Sequence, residues 1–140
     1  MRNLKGRLKR RDKDSSVTVG LSSKDDACDV DSNPPIFSLR YVQKDFCIDC
    51  CEKHEKAALA DSLFRLSKIS WSEIRKAGRH GLGTEKISRS AIKAPIPSHV
   101  TEDVEFIAFR FCSKAPMVGY KLGAVFYVLW LDRAFKLYKH

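Results

Sequence analysis

The 140-residue sequence lacks any apolar run long enough to cross a membrane; the longest candidate, residues 122–131, is only strand-length, against roughly 18–20 residues for a spanning helix. No apolar stretch follows the basic first residues, so no secretory signal is expected. Glycine (7) and proline (5) are few and hydrophobic residues make up 44%, which excludes collagen-like, low-complexity and wholly disordered classes. There is no internal repeat and no P-loop spacing of Gly-x4-Gly-Lys-Ser/Thr. Cysteine occurs five times, an odd number with three crowded at 47–51. That pattern is no disulfide framework and fits a reducing cytoplasm. At roughly 100–200 residues per domain, one domain is expected, or a smaller one with a tail.

What is abundant is positive charge: 26 Lys and Arg against 17 Asp and Glu, a formal net charge of +9. Its distribution is uneven. Residues 1–35 hold eight basic and six acidic side chains, for +2, and leave +7 on residues 36–140. The first segment has no aromatic residue and few large apolar ones. It cannot bury enough surface to offset a backbone entropy of roughly 1–2 kcal/mol per residue, and reads as a mobile polar, basic tail. Between Arg75 and Lys93, six basic residues meet one acid, Glu85, and a polyanionic partner becomes a local expectation.

Residues 36–140 read as one α+β domain. Residues 36–42 alternate apolar and polar positions, as a strand does. Asp49 and Glu52 stand at N-cap and N3 spacing, and Ala57, Ala58, Leu59, Leu63, Phe64 and Leu66 continue an amphipathic helix to about residue 68. Ser70 to Glu73 is a capping box opening a shorter helix that Gly78 to Gly83 terminate. A basic, aperiodic loop over 79–99 follows, long enough to suggest a function. Four β-branched and aromatic segments then come at 104–112, 117–121, 124–131 and 135–140, separated by turns suited to hairpins. The expected fold is two helices packed on an antiparallel sheet of four to five strands, in the order β-α-α-β-β-β-β. Phe37, Leu63, Phe64, Trp71, Phe106, Phe126, Val128 and Trp130 are its expected core.

Several residues carry candidate chemistry. Under strand alternation Lys136, Tyr138 and His140 share one face; an imidazole serves as acid or base near neutral pH. Arg110 is a cation on an otherwise apolar strand and needs a partner, either a phosphate or a buried acid such as Asp132. Lys121 lies beside a hairpin turn. Arg79, His80, Glu85 and Lys86 cluster around Gly81 and Gly83, where cations and backbone can approach a phosphate and Glu85 can act as a base or orient His80. Arg75, Arg89 and Lys93 extend this basic set. Cleavage of RNA without a metal needs a base for the 2′-hydroxyl, cations for the phosphorane and an acid for the leaving oxygen.

Phe109-Arg110-Phe111 with Gly119-Tyr120-Lys121, the apolar stretch Val125 to Asp132, and Leu137-Tyr138-Lys139-His140 together resemble the RelE/ParE/HigB-like bacterial toxins. The resemblance covers residues 36–140 and implies an endoribonuclease that cleaves mRNA, including ribosome-bound mRNA, and is held inactive by an antitoxin protein. It points to Arg110, Lys121, Tyr138 and His140 as catalytic; the reading of the loop adds Glu85 to that set and Arg75, Arg79, His80, Lys86, Arg89 and Lys93 as RNA-binding, with no cofactor and no membrane partner expected. The long loop, the tail and the thin basic cluster on the sheet depart from the family pattern. Two other readings compete: a nucleic-acid-binding module without chemistry, and a small phage or mobile-element protein acting on another protein.

Cys47-x2-Cys50-Cys51-x2-His54 has spacing that lets two thiolates converge on zinc. A structural site needs four ligands, and Cys28, His80, His99 and Cys112 form no second paired motif. Small residues at a helix N-terminus are the main reading, with zinc and redox-active thiols as the alternatives.

Overall fold

The computed structural model describes residues 30–140 apart from Gly83, with the side chains of Arg79 and His80 also outside the description. The expected tail therefore lies outside it as far as residue 29. Its last residues do not behave as a tail. Pro35 is buried, and the carbonyl of Asn33 accepts a hydrogen bond from the Trp71 N–H at 3.0 Å.

The architecture is α+β: two helices and a five-stranded mixed sheet. The elements are β1 (Ile36–Ser38), α1 (Lys53–Leu66), α2 (Trp71–Gly81), β2 (Glu85–Ile87), β3 (Phe106–Cys112), β4 (Ala115–Leu122) and β5 (Val125–Leu131). In the sheet the order is β1-β5-β4-β3-β2. β2 to β5 are antiparallel neighbours, whereas β1 lies parallel to β5, Phe37 opposite Phe126. The two helices between β1 and the meander supply the long connection such a distant pairing requires.

Both helices start where a side chain satisfies free backbone donors. α1 begins later than the Asp49 spacing suggested. Residues Ile48–Cys50 form a short 3-10 turn, and Glu52 and Glu55 make the reciprocal capping box instead. Arg133 reinforces it, its Nε donating to Glu55 Oε1 at 2.7 Å. The backbone N–H of Glu52 and the Arg133 guanidinium hold the Glu55 carboxyl below its ordinary pKa. α2 opens as expected, Ser70 Oγ accepting from the Glu73 N–H at 3.2 Å. It is interrupted at Gly78, whose φ of 63° and ψ of −166° belong to a region essentially reserved for glycine.

The sheet is covered on both faces. Leu59 and Leu66 of α1 and Trp71 and Ile74 of α2 pack with Phe109, Met117 and Phe126 of the sheet. On the other face Phe106, Val118, Leu129, Trp130 and Leu137 are covered by the segment between β2 and β3 and by the C-terminal residues. Phe106, Phe109, Phe126, Met117, Leu129 and Trp130 are fully buried, each worth about 1.5–3 kcal/mol of apolar transfer. Phe64, expected in the core, is 62% exposed and lies under the Lys68 ammonium at 3.9 Å. Leu59, Ser62 and Leu66 take the buried stripe of α1, and Ser62 Oγ donates to the Phe111 carbonyl at 3.0 Å.

Three expectations for the strands change. The sheet is mixed and not wholly antiparallel, because the two-helix connection brings β1 alongside β5 in parallel. Residues 135–140 form no strand: Asp132, fully buried, accepts from the N–H groups of Lys136 (2.9 Å) and Leu137 (3.0 Å) and closes a turn there. The fifth strand comes instead from the expected loop over 79–99, where Glu85–Ile87 pairs with β3.

Candidate functional site

The short strand β2 places Glu85 opposite Ala108, two positions before Arg110 on β3. Arg110 alternates with Phe106 and Ala108, which pack on the face away from the helices. Its guanidinium reaches Glu85 Oε1 at 3.1 Å and, through its other terminal nitrogen, the carbonyl of Lys114 at 3.0 Å. The partner the cation needed is thus Glu85. Tyr138 arrives at the same carboxylate from the C-terminal turn, its hydroxyl donating to Glu85 Oε1 at 3.1 Å. Burial, followed by the adjacent Glu85 charge, pushes the Tyr138 phenol up to about 12. It therefore remains a hydrogen-bond donor at neutral pH and does not compete as a base.

His140 continues the arrangement. Its ring lies over Tyr138 at a centroid distance of 4.2 Å and meets Phe135 edge-on at 5.1 Å. His140 Nε2 stands 3.5 Å from Asp132 Oδ2. Asp132, weighed as a partner for Arg110, instead holds the turn and the histidine. Phe135 takes a φ of 55° within this turn, an uncommon conformation for a bulky side chain that the Asp132 contacts maintain. Side chains of Glu85 and Arg110 are each 23% exposed and that of His140 is 26% exposed. A ligand can reach them without rearrangement of the core. Arg110 also borders a cleft of about 170 Å³ with Ser62, Arg65 and Leu82.

Four of the five residues expected to be catalytic are therefore neighbours: Glu85, Arg110, Tyr138 and His140. Lys121 is not among them. Its ammonium lies 3.5 Å from Asp31 Oδ1 and 5.3 Å from the centre of the Trp71 ring, on the helix side of the sheet.

The expected RNA-binding residues do not form one patch. Arg75 and Lys86 border a cleft of about 360 Å³ with Trp71, Ile107 and Lys121. Arg75 pairs there with Asp31 at 2.7 Å and Lys86 with Glu105 at 3.3 Å. Arg89 is turned to the backbone, donating to the carbonyls of Thr101 (2.6 Å) and Val100 (3.0 Å). Lys93 borders a separate cleft of about 540 Å³ with Asp45, Phe46, Cys50, Asp132 and Lys136. Arg79 and His80 fall outside the described side chains, so the pairing of His80 with Glu85 does too.

A second polar aromatic group was not legible from the sequence because its members stand at 41, 99, 120 and 127. Tyr120 and Tyr127 stack at 5.1 Å, His99 lies 4.2 Å from Tyr41, and His99 Nε2 meets the Tyr120 hydroxyl at 3.0 Å. Burial, then the neighbouring Tyr127 and Tyr41, raises the Tyr120 phenol. The Arg40 guanidinium lies 5.2 Å from the centre of the Tyr41 ring.

For the zinc alternative, Cys47 and Cys50 do converge, Sγ to Sγ at 3.8 Å, but no third ligand joins them among the described residues. Cys51 Sγ points to the Cys47 carbonyl at 3.7 Å and His54 Nδ1 pairs with Glu52 at 3.4 Å. Among the described residues no group of three or more His, Cys, Asp or Glu side chains is placed to hold a metal ion.

Fold and site together define a small α+β protein with a carboxylate, a guanidinium, a phenol and an imidazole gathered where a sheet edge meets the C-terminal turn. Comparison of the chain with protein-family models, with curated proteins and with solved structures finds no match. Among the described residues no helix is long and apolar enough to cross a membrane.

Proposed function

We propose that the chain is an endoribonuclease toxin of the RelE/ParE/HigB type, acting on mRNA in the cytoplasm through acid–base chemistry of its own side chains and controlled by an antitoxin protein. One observation carries the reading: Glu85 Oε1 receives both the Arg110 guanidinium and the Tyr138 hydroxyl, and the His140 ring lies tilted against that same tyrosine at 4.2 Å. The set contains a base, a cation and an acid within one neighbourhood. In this reaction the Glu85 carboxylate takes the proton of a ribose 2′-hydroxyl and the oxygen attacks the adjacent phosphorus. Arg110 neutralises the charge that develops on the phosphorane oxygens, and protonated His140, steadied by Asp132, gives its proton to the departing 5′ oxygen. The products are a 2′,3′-cyclic phosphate and a 5′-hydroxyl. Tyr138, itself buried, positions the base through its hydroxyl.

Induced expression of the full chain in bacterial cells, with mapping of RNA 5′ ends, tests this directly. Wild type arrests growth and generates new 5′-hydroxyl ends. Arg110→Ala and His140→Ala lower cleavage by the roughly 10²–10⁴-fold that a positioned proton-transfer or charge-stabilising group contributes. Lys121→Ala stays close to wild type. Normal growth and intact RNA under strong induction of folded protein overturn the proposal.

The aromatic group of Tyr41, His99, Tyr120 and Tyr127 favours a second reading, a nucleic-acid-binding module without chemistry. Base stacking on such rings contributes about 1–3 kcal/mol per base. On that reading single-stranded RNA binds without being cut, Tyr41→Ala weakens binding, and His140→Ala has no effect.

A further inference from the structure

The thiols play no part in the site above, yet two of them are arranged for chemistry. Cys47 precedes the 3-10 turn Ile48–Cys50 and Cys50 ends it, the Cys50 N–H donating to the Cys47 carbonyl at 3.1 Å. That hydrogen bond folds the four residues back on themselves and brings the two sulfurs to 3.8 Å, in mutual thiol contact. Bonded sulfurs stand about 2.05 Å apart, so small side-chain rotations close the gap without unfolding the turn. Cys50 is exposed and Cys47 half-buried. Cys51, next in sequence, differs in kind. It is buried at 7% exposure, donates to the Cys47 carbonyl, and burial raises its thiol. The pair is thus joined across one hydrogen-bonded turn, while the third thiol is buried and turned to a backbone carbonyl.

We propose that Cys47 and Cys50 are a redox-active dithiol that undergoes thiol–disulfide exchange with low-molecular-weight disulfides of the glutathione type. Cys50, the more exposed, attacks first as its thiolate. A bond forms between Cys50 Sγ and one sulfur of the small disulfide, whose other sulfur leaves as a thiolate. Cys47, already in contact, then attacks Cys50 Sγ. The Cys47–Cys50 bond forms, the mixed disulfide breaks and the second small thiolate departs. Two electrons pass from the protein to the small disulfide, and the two protein thiol protons end on the two released small thiols. Cys50 also lines the cleft of about 540 Å³ that holds Phe46, Lys93 and Lys136, which gives the small disulfide an approach to it.

The test uses the full chain carrying Cys28→Ser, reduced and then exposed to oxidised glutathione, followed by alkylation in denaturant, intact mass and peptide mapping. The expected product is lighter by about 2 Da before alkylation, the mass of two hydrogens, with a Cys47–Cys50 linkage and alkylated Cys51 and Cys112. Cys47→Ser cannot resolve the first step and accumulates a glutathione adduct of about 305 Da on Cys50, whereas the parent chain does not. Persistence of four alkylatable thiols in excess oxidised glutathione overturns the proposal, as does a stable adduct on the parent chain or a linkage between Cys50 and Cys51. The outcome is independent of any nuclease activity.

Discussion

Gly119 shows how a single position constrains this sheet. It sits where the β4–β5 register shifts between Val118 and Gly119, and a β-carbon added there would stand 1.9 Å from the Tyr127 carbonyl oxygen. The obstacle is backbone, which cannot turn aside as a flexible side chain would. Overpacking in a dense interior typically costs about 1–3 kcal/mol and more where backbone must move. Gly119→Ala is therefore expected to lower stability by at least about 3 kcal/mol in urea denaturation. A loss below about 1 kcal/mol would show that β4 and β5 separate easily here. The sequence marks Gly119 only as one member of a Gly-Tyr-Lys triplet, because the bulge that makes it obligatory arises from pairing with a strand eight residues away. Arg110 was legible in a different way. A cation among Phe106, Ala108 and Phe111 had to find a partner, but its choice of Glu85 over Asp132 depended on where a three-residue strand was laid down.

At the scale of elements, the helices and the three long strands were readable because their signals are local. Ser70 and Glu73 cap α2, β3 and β5 are rich in β-branched and aromatic residues, and β4 lies between two turns that mark its ends. The start of α1 was misplaced by three residues because Asp49–Glu52 and Glu52–Glu55 offer the same spacing, and Arg133, distant in sequence, reinforces the second. β2 was invisible: Glu85-Lys86-Ile87 has no apolar alternation, and its strand character comes from pairing with β3. Residues 135–140 had strand composition, yet the Asp132 carboxylate captures two of the N–H groups a strand would need for a ladder. The segment between β2 and β3 is likewise held by side-chain bonds to backbone, chiefly those of Arg89. Arg89→Ala removes two of them, so a stability loss of roughly 1–2 kcal/mol is expected, with faster amide exchange concentrated in residues 88–104. Unchanged exchange there, with weakened RNA binding instead, would assign Arg89 to the ligand rather than to the loop.

At the scale of the whole molecule, the +9 charge does not describe an open cationic surface. Of the six expected RNA-binding residues, Arg75 and Lys86 sit beside carboxylates and Arg89 is committed to carbonyls. The Asp31 carboxyl lies below its ordinary pKa, first through its hydrogen bond from Arg75 and further through Lys121, so it stays ionised between these two cations throughout the neutral range. Such exposed pairs add little to stability, but the carboxylate remains beside its cation when a phosphate approaches and repels it. The five Lys and Arg of that set, if all unopposed on single-stranded RNA, would give a slope of log K against log salt of about −3.5, at roughly −0.7 per phosphate. With Arg75 and Lys86 opposed and Arg89 turned inward, a slope no steeper than about −1.5 is expected from this set for an RNA oligonucleotide titrated between about 50 and 300 mM salt. Asp31→Asn frees Arg75 and Lys121 together and should steepen the slope by about 1, with tighter binding at low salt. A slope already near −3.5 in the parent chain, unchanged in Asp31→Asn, would mean that RNA is gripped elsewhere and that the helix-side cleft is a structural clamp alone.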